Sequence, residues 1–333
     1  MDFLDNYFTY KNNVTICGLT SELNVFYVLN LFKKSNRNII VLTSNIYEAN
    51  KYYNLFQTYT NNVLLFLKDD FIHSMVASSP ELKLTRLNTL DKLSVSKNII
   101  ICNLSAYLMF LPNKNDAINQ KYKISIGDVI NRNEFIEKLY YFGYVKDSIT
   151  MSTGDFSVRG MIIDIFLINE KHPIRIELDD DKIISIRYFN EDTQRTIENI
   201  ENIIIKPITE LKTKTYSSFY DYTDNAALIK INSNQIEVSY KKLMLDILNY
   251  SKENNIEEKL MFEYDEINPE YQISLNSLKE NIDDIEINTK SLDNFNNDFE
   301  LLKARVNSWL NENKTVIFCL SNDREIKKIN KLI

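Results

Sequence analysis

At 333 residues, with 44% hydrophobic side chains, the chain is long enough for two or three compact units that each bury a core. Its net charge of −7 argues against a general clamp on DNA, which needs a cationic surface, and favours a protein partner. Two histidines and three scattered cysteines exclude zinc-ligand spacing and a disulfide frame, so Cys17, Cys102 and Cys319 read as small buried hydrophobes of a reducing compartment. No apolar run reaches the ~18 residues of a membrane-spanning helix, and the acidic, aromatic MDFLDNYFTYKNN lacks the pattern of a signal peptide; a cytoplasmic location is the expectation.

In chain order, VTICGL, NIIVLT, VLLFL and NIIICNL are β-branched runs of strand length. SELNVFYVLNLFKK, between the first two, has apolar positions at helical spacing, and this alternation predicts a parallel sheet with covering helices. Near residue 122 the texture changes to KISIGDVI, the helical RNEFIEKLYYFGY, then TGDFSVRGMIIDIFLI, PIRIEL and KIISIRYF, joined by turn signals at NEKH and DDD. That pattern predicts a mostly antiparallel sheet. After KPITE, near residue 210, the α/β texture returns with NAALIKI, the helical VSYKKLMLDILNYSKENN, KLMFEY, IDDIEIN and the amphipathic DFELLKARVNSWLNEN. TVIFCLS reads as a buried strand and DREIKKINKLI as the crossover helix after it, so an excerpt of a longer protein is expected. The architecture that follows is α/β: a parallel-sheet domain, residues 1–122 and 208–333, split by an inserted, mostly antiparallel α+β domain at 123–207. A linear array of three domains is the alternative.

A phosphate-binding loop would follow the first strand, at CGLTSELNVF. Counting from Gly18, a lysine and a hydroxyl residue are needed near positions 23–25, where the chain has Leu23, Asn24 and Val25. Without that charge and that magnesium ligand the loop reads as a degenerate nucleotide-binding loop, with no cofactor. The strand NAALIKINSN ends in Asn232 and Ser233 where a nucleotidase would carry paired acids, so ATP hydrolysis is not expected. Asp179, Asp180 and Asp181 read as a solvated hairpin turn; no metal site is expected. His73 and His172 have no nucleophile in recognisable context, and Trp309 reads as core packing on an amphipathic helix.

The arginines remain. Strand alternation in PIRIEL puts Ile174, Ile176 and Leu178 on one face and Arg175 and Glu177 on the other. Arg159 precedes Gly160, with Gly154 upstream, and glycines in a strand mark a bulge or the close approach of another backbone. One reading is an arginine-bearing face that docks a partner, with glycines leaving room. The other is surface arginines paired to nearby acids.

The stretch GYVKDSITMSTGDFSVRGMIIDIF followed by PIRIELDDDKIISIRYFNEDTQRTIENIENIIIKP resembles the N-terminal part of the bacterial transcription-repair coupling factors, the Mfd family. The residues that carry it are Gly143, Tyr144, Gly154, Phe156, Val158, Arg159, Gly160, Asp164, Ile165, Phe166, Arg175, Glu177, Ser185, Ile186, Arg187, Phe189, Gln194 and Arg195. Part of the pattern is shared with UvrB, and the resemblance continues upstream through ICGLTSE and downstream through DFELLKARVNSWLNEN. It implies a UvrB-like module: a degenerate helicase-like, P-loop-type domain split around an insert that binds UvrA. Carried over, the docking residues are Arg159 and Arg175. Where the family has two aromatics after its RIE element, this chain has Leu178 and Asp179, and the DIFP proline is replaced by Leu167. The family's ATP- and magnesium-dependent DNA translocase and its RNA polymerase contacts belong to other parts of the family protein, whose C-terminal domain masks the insert at rest. The rival readings are a UvrB-type helicase module and a structural or autoinhibitory domain that has lost UvrA binding.

Overall fold

The computed structural model describes residues 8–69, 79–93, 95–168, 170–210, 213–290, 295, 298–318, 320 and 322–332. The four early apolar runs form β1 (Val14–Cys17), β2 (Ile39–Thr43), β3 (Val63–Phe66) and β4 (Ile99–Asn103). A two-residue β5 (Leu111–Pro112) leads to β6 (Tyr122–Ser125), β7 (Val145–Lys146), β8 (Asp155–Arg159) and β9 (Ile162–Ile165). Then come β10 (Ile174–Asp179), β11 (Lys182–Phe189), β12 (Thr196–Asn199), β13 (Asn202–Ile205) and β14 (Tyr216–Ser217). The last three are β15 (Ala227–Ile231), β16 (Gln272–Asn276) and β17 (Ile285–Glu286).

Among the described residues, seven strands build one sheet in the order β17-β1-β16-β15-β2-β4-β3, every pair parallel. β2 and β4 are buried at every position, which is why their sequences are unbroken, mostly β-branched apolar runs. One face packs Val41, Ile101, Ile229 and Ile273 against Val25 and Val28 of the helix Ser21–Lys34 and Tyr52 and Phe56 of the helix Ile46–Gln57. The other packs Ile40, Leu42, Ile100 and Leu228 against Tyr107, Phe219 and two residues of the helix Ser233–Glu253, Ile236 and Leu243. Both helices of the first face start on side-chain caps, Thr20 and Asn45. Cys17 and Cys102 are free and buried, as their context predicts; Cys319 and His73 lie outside the described residues.

β16 is a strand that the sequence pattern does not reveal. QISLN is short, flanked by polar residues and weakly apolar, yet it lies between β1 and β15. The more hydrophobic KLMFEY is not a strand: it is irregular chain with a short 3-10 turn at Tyr264–Glu266, and Met261 is buried against the second face. Position in the sheet, not local hydrophobicity, decided between them.

Residues 122–205 carry a six-stranded sheet in the order β12-β11-β10-β9-β8-β7, antiparallel except for the β7–β8 pair, and a separate antiparallel pair of β13 with β6. Its core is its own. Phe135, Leu139 and Phe142, on or just after the helix Arg132–Tyr141, pack with Phe156, Ile163, Ile165, Ile174, Ile176 and Ile186.

Residues 289–333 form a separate unit with the helices Phe299–Asn311 and Asp323–Leu332. TVIFCLS is not the buried strand its composition predicts: its described residues 315–318 are irregular, and Ile317 is exposed. A strand needs a ladder partner, and this unit has none among its described residues. Trp309 is half-buried, with the Arg305 guanidinium 5.4 Å from its ring.

Candidate docking face

The hairpin β8–β9 closes with Arg159 opposite Ile162, so Gly160 and Met161 are the two turn residues. Gly160 has φ 58°, a left-handed backbone suited to a tight hairpin, and a Cβ there would meet nothing within 4 Å. Gly154 has φ 97°, and its missing Cβ would lie 2.8 Å from Ile208 Cδ1. Neither glycine is a bulge that leaves room for a partner backbone. One turns the hairpin, and the other admits a side chain of the segment leaving this sheet.

On β10 the alternation holds: Ile174, Ile176 and Leu178 are buried on the core side, and Arg175 and Glu177 occupy the other face. The same parity puts Ser157 and Arg159 of β8, Asp164 of β9 and Arg187 of β11 on that outer face. Register aligns them in two rows. The first runs Ser157–Asp164–Arg175–Arg187–Asn199, and the second Arg159–Ile162–Glu177–Ser185.

Arg175 is pinned. Its Nε donates to Asp164 Oδ1 at 2.7 Å and its Nη2 to Asp164 Oδ2 at 2.8 Å. Nη2 also donates to Gln194 Oε1 at 2.7 Å, and the guanidinium carbon lies 4.3 Å from the Phe189 ring centroid. The hydrogen bond to Asp164 raises the guanidinium pKa further. Asp164 is only 2% exposed, and Gln194 is itself held by its Nε2 donating to the Glu191 carbonyl. The arginine is therefore both the outward residue that alternation predicts and the counter-charge of a buried carboxylate. Arg159 differs: it is exposed and its Nη2 donates to the Ser148 carbonyl at 2.8 Å. Arg187 donates from Nη1 to Glu177 Oε2 at 2.8 Å and to Ser185 Oγ at 2.6 Å. Asp179 ends β10 on the outer parity, exposed, across from Lys182 at a turn where Asp180 has φ 51°.

Sequence reasoning singled out Arg159, Arg175 and Asp179 as docking residues but did not identify Asp164, Gln194 and Phe189 as the groups that hold Arg175. The signal was present, since IIDI alternates and so places Asp164 on the outer parity with Arg175.

At the end of β1, Gly18 has φ 83°, and an added Cβ would stand 2.5 Å from the Ile287 carbonyl oxygen. Its N–H, the kind of donor that cradles a phosphate, donates to the Asn276 carbonyl at 3.0 Å. Asn24 is buried with its Nδ2 donating to Tyr52 Oη at 3.0 Å, and Val25 is fully buried. Burial pushes the Tyr52 phenol pKa up, against the opposing Asn24 hydrogen bond. Ser233 donates from N and Oγ to Asn276 Oδ1 at 2.8 and 3.0 Å, and Ser277 Oγ donates to Asn232 Oδ1 at 2.9 Å. The polar residues at this edge thus bond to one another. His172 Nδ1 lies 3.3 Å from Glu191 Oε2. Among the described residues no group of three or more His, Cys, Asp or Glu is placed to hold a metal ion, and no helix is long and apolar enough to cross a membrane.

Residues 122–211, which include all of this outer face, match the UvrB interaction domain family. The chain is 32% identical over 200 residues to the transcription-repair-coupling factor of Bacillus subtilis (strain 168), covering 59% of this chain and 17% of that protein. It is also 32% identical over 212 residues to that of Staphylococcus aureus (strain MSSA476), covering 60% of this chain and 18% of that protein. The chain therefore spans less than a fifth of the length of these curated relatives.

Proposed function

We propose, from the UvrB interaction domain and the similarity to transcription-repair coupling factors, that this chain is the UvrA-recruiting part of such a factor. One observation carries the reading: the family match falls on the antiparallel sheet whose outer face bears Arg159, Arg175 and Arg187. In this reading residues 1–122 and 208–333 are a degenerate P-loop-type, helicase-like frame, and 123–207 are the inserted UvrA-binding domain. The frame binds neither ATP nor magnesium, because the residues at the lysine and hydroxyl positions, Asn24 and Val25, are buried. DNA translocation and the displacement of RNA polymerase belong to the rest of the full-length protein, acting in the cytoplasm. The rival reading, an active UvrB-type helicase module, lacks the phosphate-binding lysine it needs.

The test is calorimetric titration of the chain with UvrA from the same organism. Saturable binding by the wild type is expected. Arg159→Ala should weaken it about thirtyfold, the cost of truncating an interface anchor; a surface ion pair would be worth about 0–1 kcal/mol. Asp179→Phe, which restores an aromatic, should leave binding unchanged or strengthen it. Absence of binding by the folded wild type would remove the reading.

A further inference from the structure

We propose that Arg187 is a second docking residue of this face, and that with Arg175 it forms a two-arginine fork for one carboxylate side chain of the protein partner. The inference rests on the UvrA-recruiting reading and adds to it a residue and the chemistry of the group bound.

The register of β10 on β11 sets Arg175 directly opposite Arg187. Like charges directly opposite on one sheet face oppose folding, so the arrangement needs compensation. It is compensated from the flanks, by Asp164 on β9 and by Glu177 on the same strand as Arg175. Those bonds consume only part of the donor set. Arg175 uses Nε and both protons of Nη2, which leaves the two Nη1 protons without an acceptor among the described residues. Arg187 uses Nη1 for Glu177 and Ser185, which leaves its Nε and Nη2 protons. None of these nitrogens is among the buried groups without a hydrogen-bond partner, so each keeps some contact with solvent on side chains that are 15% and 19% exposed.

Both guanidiniums are held in place. Arg175 is clamped by Asp164, Gln194 and the Phe189 ring, and Arg187 by Glu177 and Ser185. Groups already ordered lose little entropy when a ligand arrives. A planar carboxylate matches the free donors, accepting from one guanidinium on each oxygen. Glu177 already occupies Arg187 from one side, and its side chain is 37% exposed against 3% for Asp164. Charge complementarity selects the occupant. In the two central rows, three arginines face two carboxylates, a local positive excess on a chain of net charge −7. One acidic side chain suits that excess, whereas a nucleic acid would also meet Glu177 and the acidic body of the chain.

Two measurements on the whole chain test the proposal. In the first, arginine Nε signals in ¹H–¹⁵N spectra are followed while sodium acetate is added, against sodium chloride at the same ionic strength. Arg175→Lys and Arg187→Gln assign the signals. The Arg175 and Arg187 signals should move together with acetate and not with chloride. No acetate-specific movement overturns the fork, and movement with inorganic phosphate but not acetate overturns the carboxylate assignment in favour of a phosphate group.

The second is titration with UvrA. Arg187→Gln should weaken binding about tenfold or more, and Arg187→Lys, which keeps the charge but loses the planar fork, should recover part of it. Lys123→Gln, an equal charge loss on the separate β6–β13 pair, should bind as wild type. Equal binding by wild type and Arg187→Gln overturns the fork while leaving UvrA recruitment in place. Acetate-specific movement in a chain that does not bind UvrA overturns the recruitment reading and keeps the fork.

Discussion

Removing the Arg175 side chain would strip Asp164 of both its ion-pair bonds and leave a carboxylate that is 2% exposed with no counter-charge. Breaking such a pair from one side costs more than the pair contributes, because the remaining charge stays desolvated. Arg175→Ala should therefore lower stability by about 2–4 kcal/mol in urea unfolding, toward the low end because the guanidinium is partly open to water. Arg159→Ala, which gives up one bond to a carbonyl at the surface, should stay within about 0.5 kcal/mol of wild type. The two arginines are therefore not equivalent: Arg175 neutralises a buried carboxylate, and Arg159 does not. A binding loss in Arg175→Ala has to be separated from unfolding, whereas one in Arg159→Ala reports on docking directly. In the double variant Asp164→Asn/Arg175→Gln the loss should be smaller than the sum of the single losses.

Three of the five glycines behave as different kinds of turn element, and substitution should separate them. Gly160 has a left-handed φ in open space, so Gly160→Asn should be within about 0.5 kcal/mol of wild type, since Asn tolerates that conformation. Gly154→Ala should cost about 1–3 kcal/mol, combining a positive φ with contact at 2.8 Å to a flexible Ile208 methyl group. Gly18→Ala should cost more, because the obstruction is the Ile287 carbonyl and a backbone cannot rotate away. Thermal melts of the three variants give the ranking. A loss at Gly160 as large as that at Gly18 would mean that Gly160 meets a neighbour not seen here.

For the whole molecule, the stability of the middle segment should depend on where it is cut. Ile208 packs on the insert core, its N–H donates to the Phe142 carbonyl at 2.8 Å, and Tyr144 Oη donates to the Lys206 carbonyl at 3.0 Å. Residues 122–211, cut as a piece, should unfold cooperatively. A piece of 123–207 should be less stable by about 1–3 kcal/mol, since it loses the Ile208 side chain and its hydrogen bond. Chemical denaturation of both pieces checks this. Two ion pairs tie the same exit segment to the helix Pro80–Leu93: Arg86 with Glu210 at 2.7 Å, and Asp91 with Lys206. The parallel-sheet part should show no saturable binding of ATP with magnesium in calorimetry. Asn24→Lys should not create it, because position 24 is buried against Tyr52.

How much of this was legible in the sequence depended on whether the cause was local. The strands β2 and β4, buried along their whole length, announce themselves as β-branched runs, and the turn at Asp180 as an acidic cluster, whereas Gly160 reads as a bulge within a strand and is in fact the turn of the β8–β9 hairpin. The parity of Arg175 followed from the period of two along one strand. β16 could not be read, because QISLN owes its burial to neighbours from residues 14–17 and 227–231 rather than to its own hydrophobicity. Nor could the state of the arginines. Alternation within PIRIEL says which way Arg175 points, but only the register of β9 and β11 brings Asp164 to one side of it and Arg187 to the other. Side-chain direction is set by the residue's own backbone, whereas the charges it meets come from residues 11 and 12 positions away in sequence. So the sequence alone determined the β-branched strands and the outward parity of Arg175, and the tertiary fold decided where β16 lies, which arginine is the counter-charge of a buried carboxylate and which is held only by a surface carbonyl.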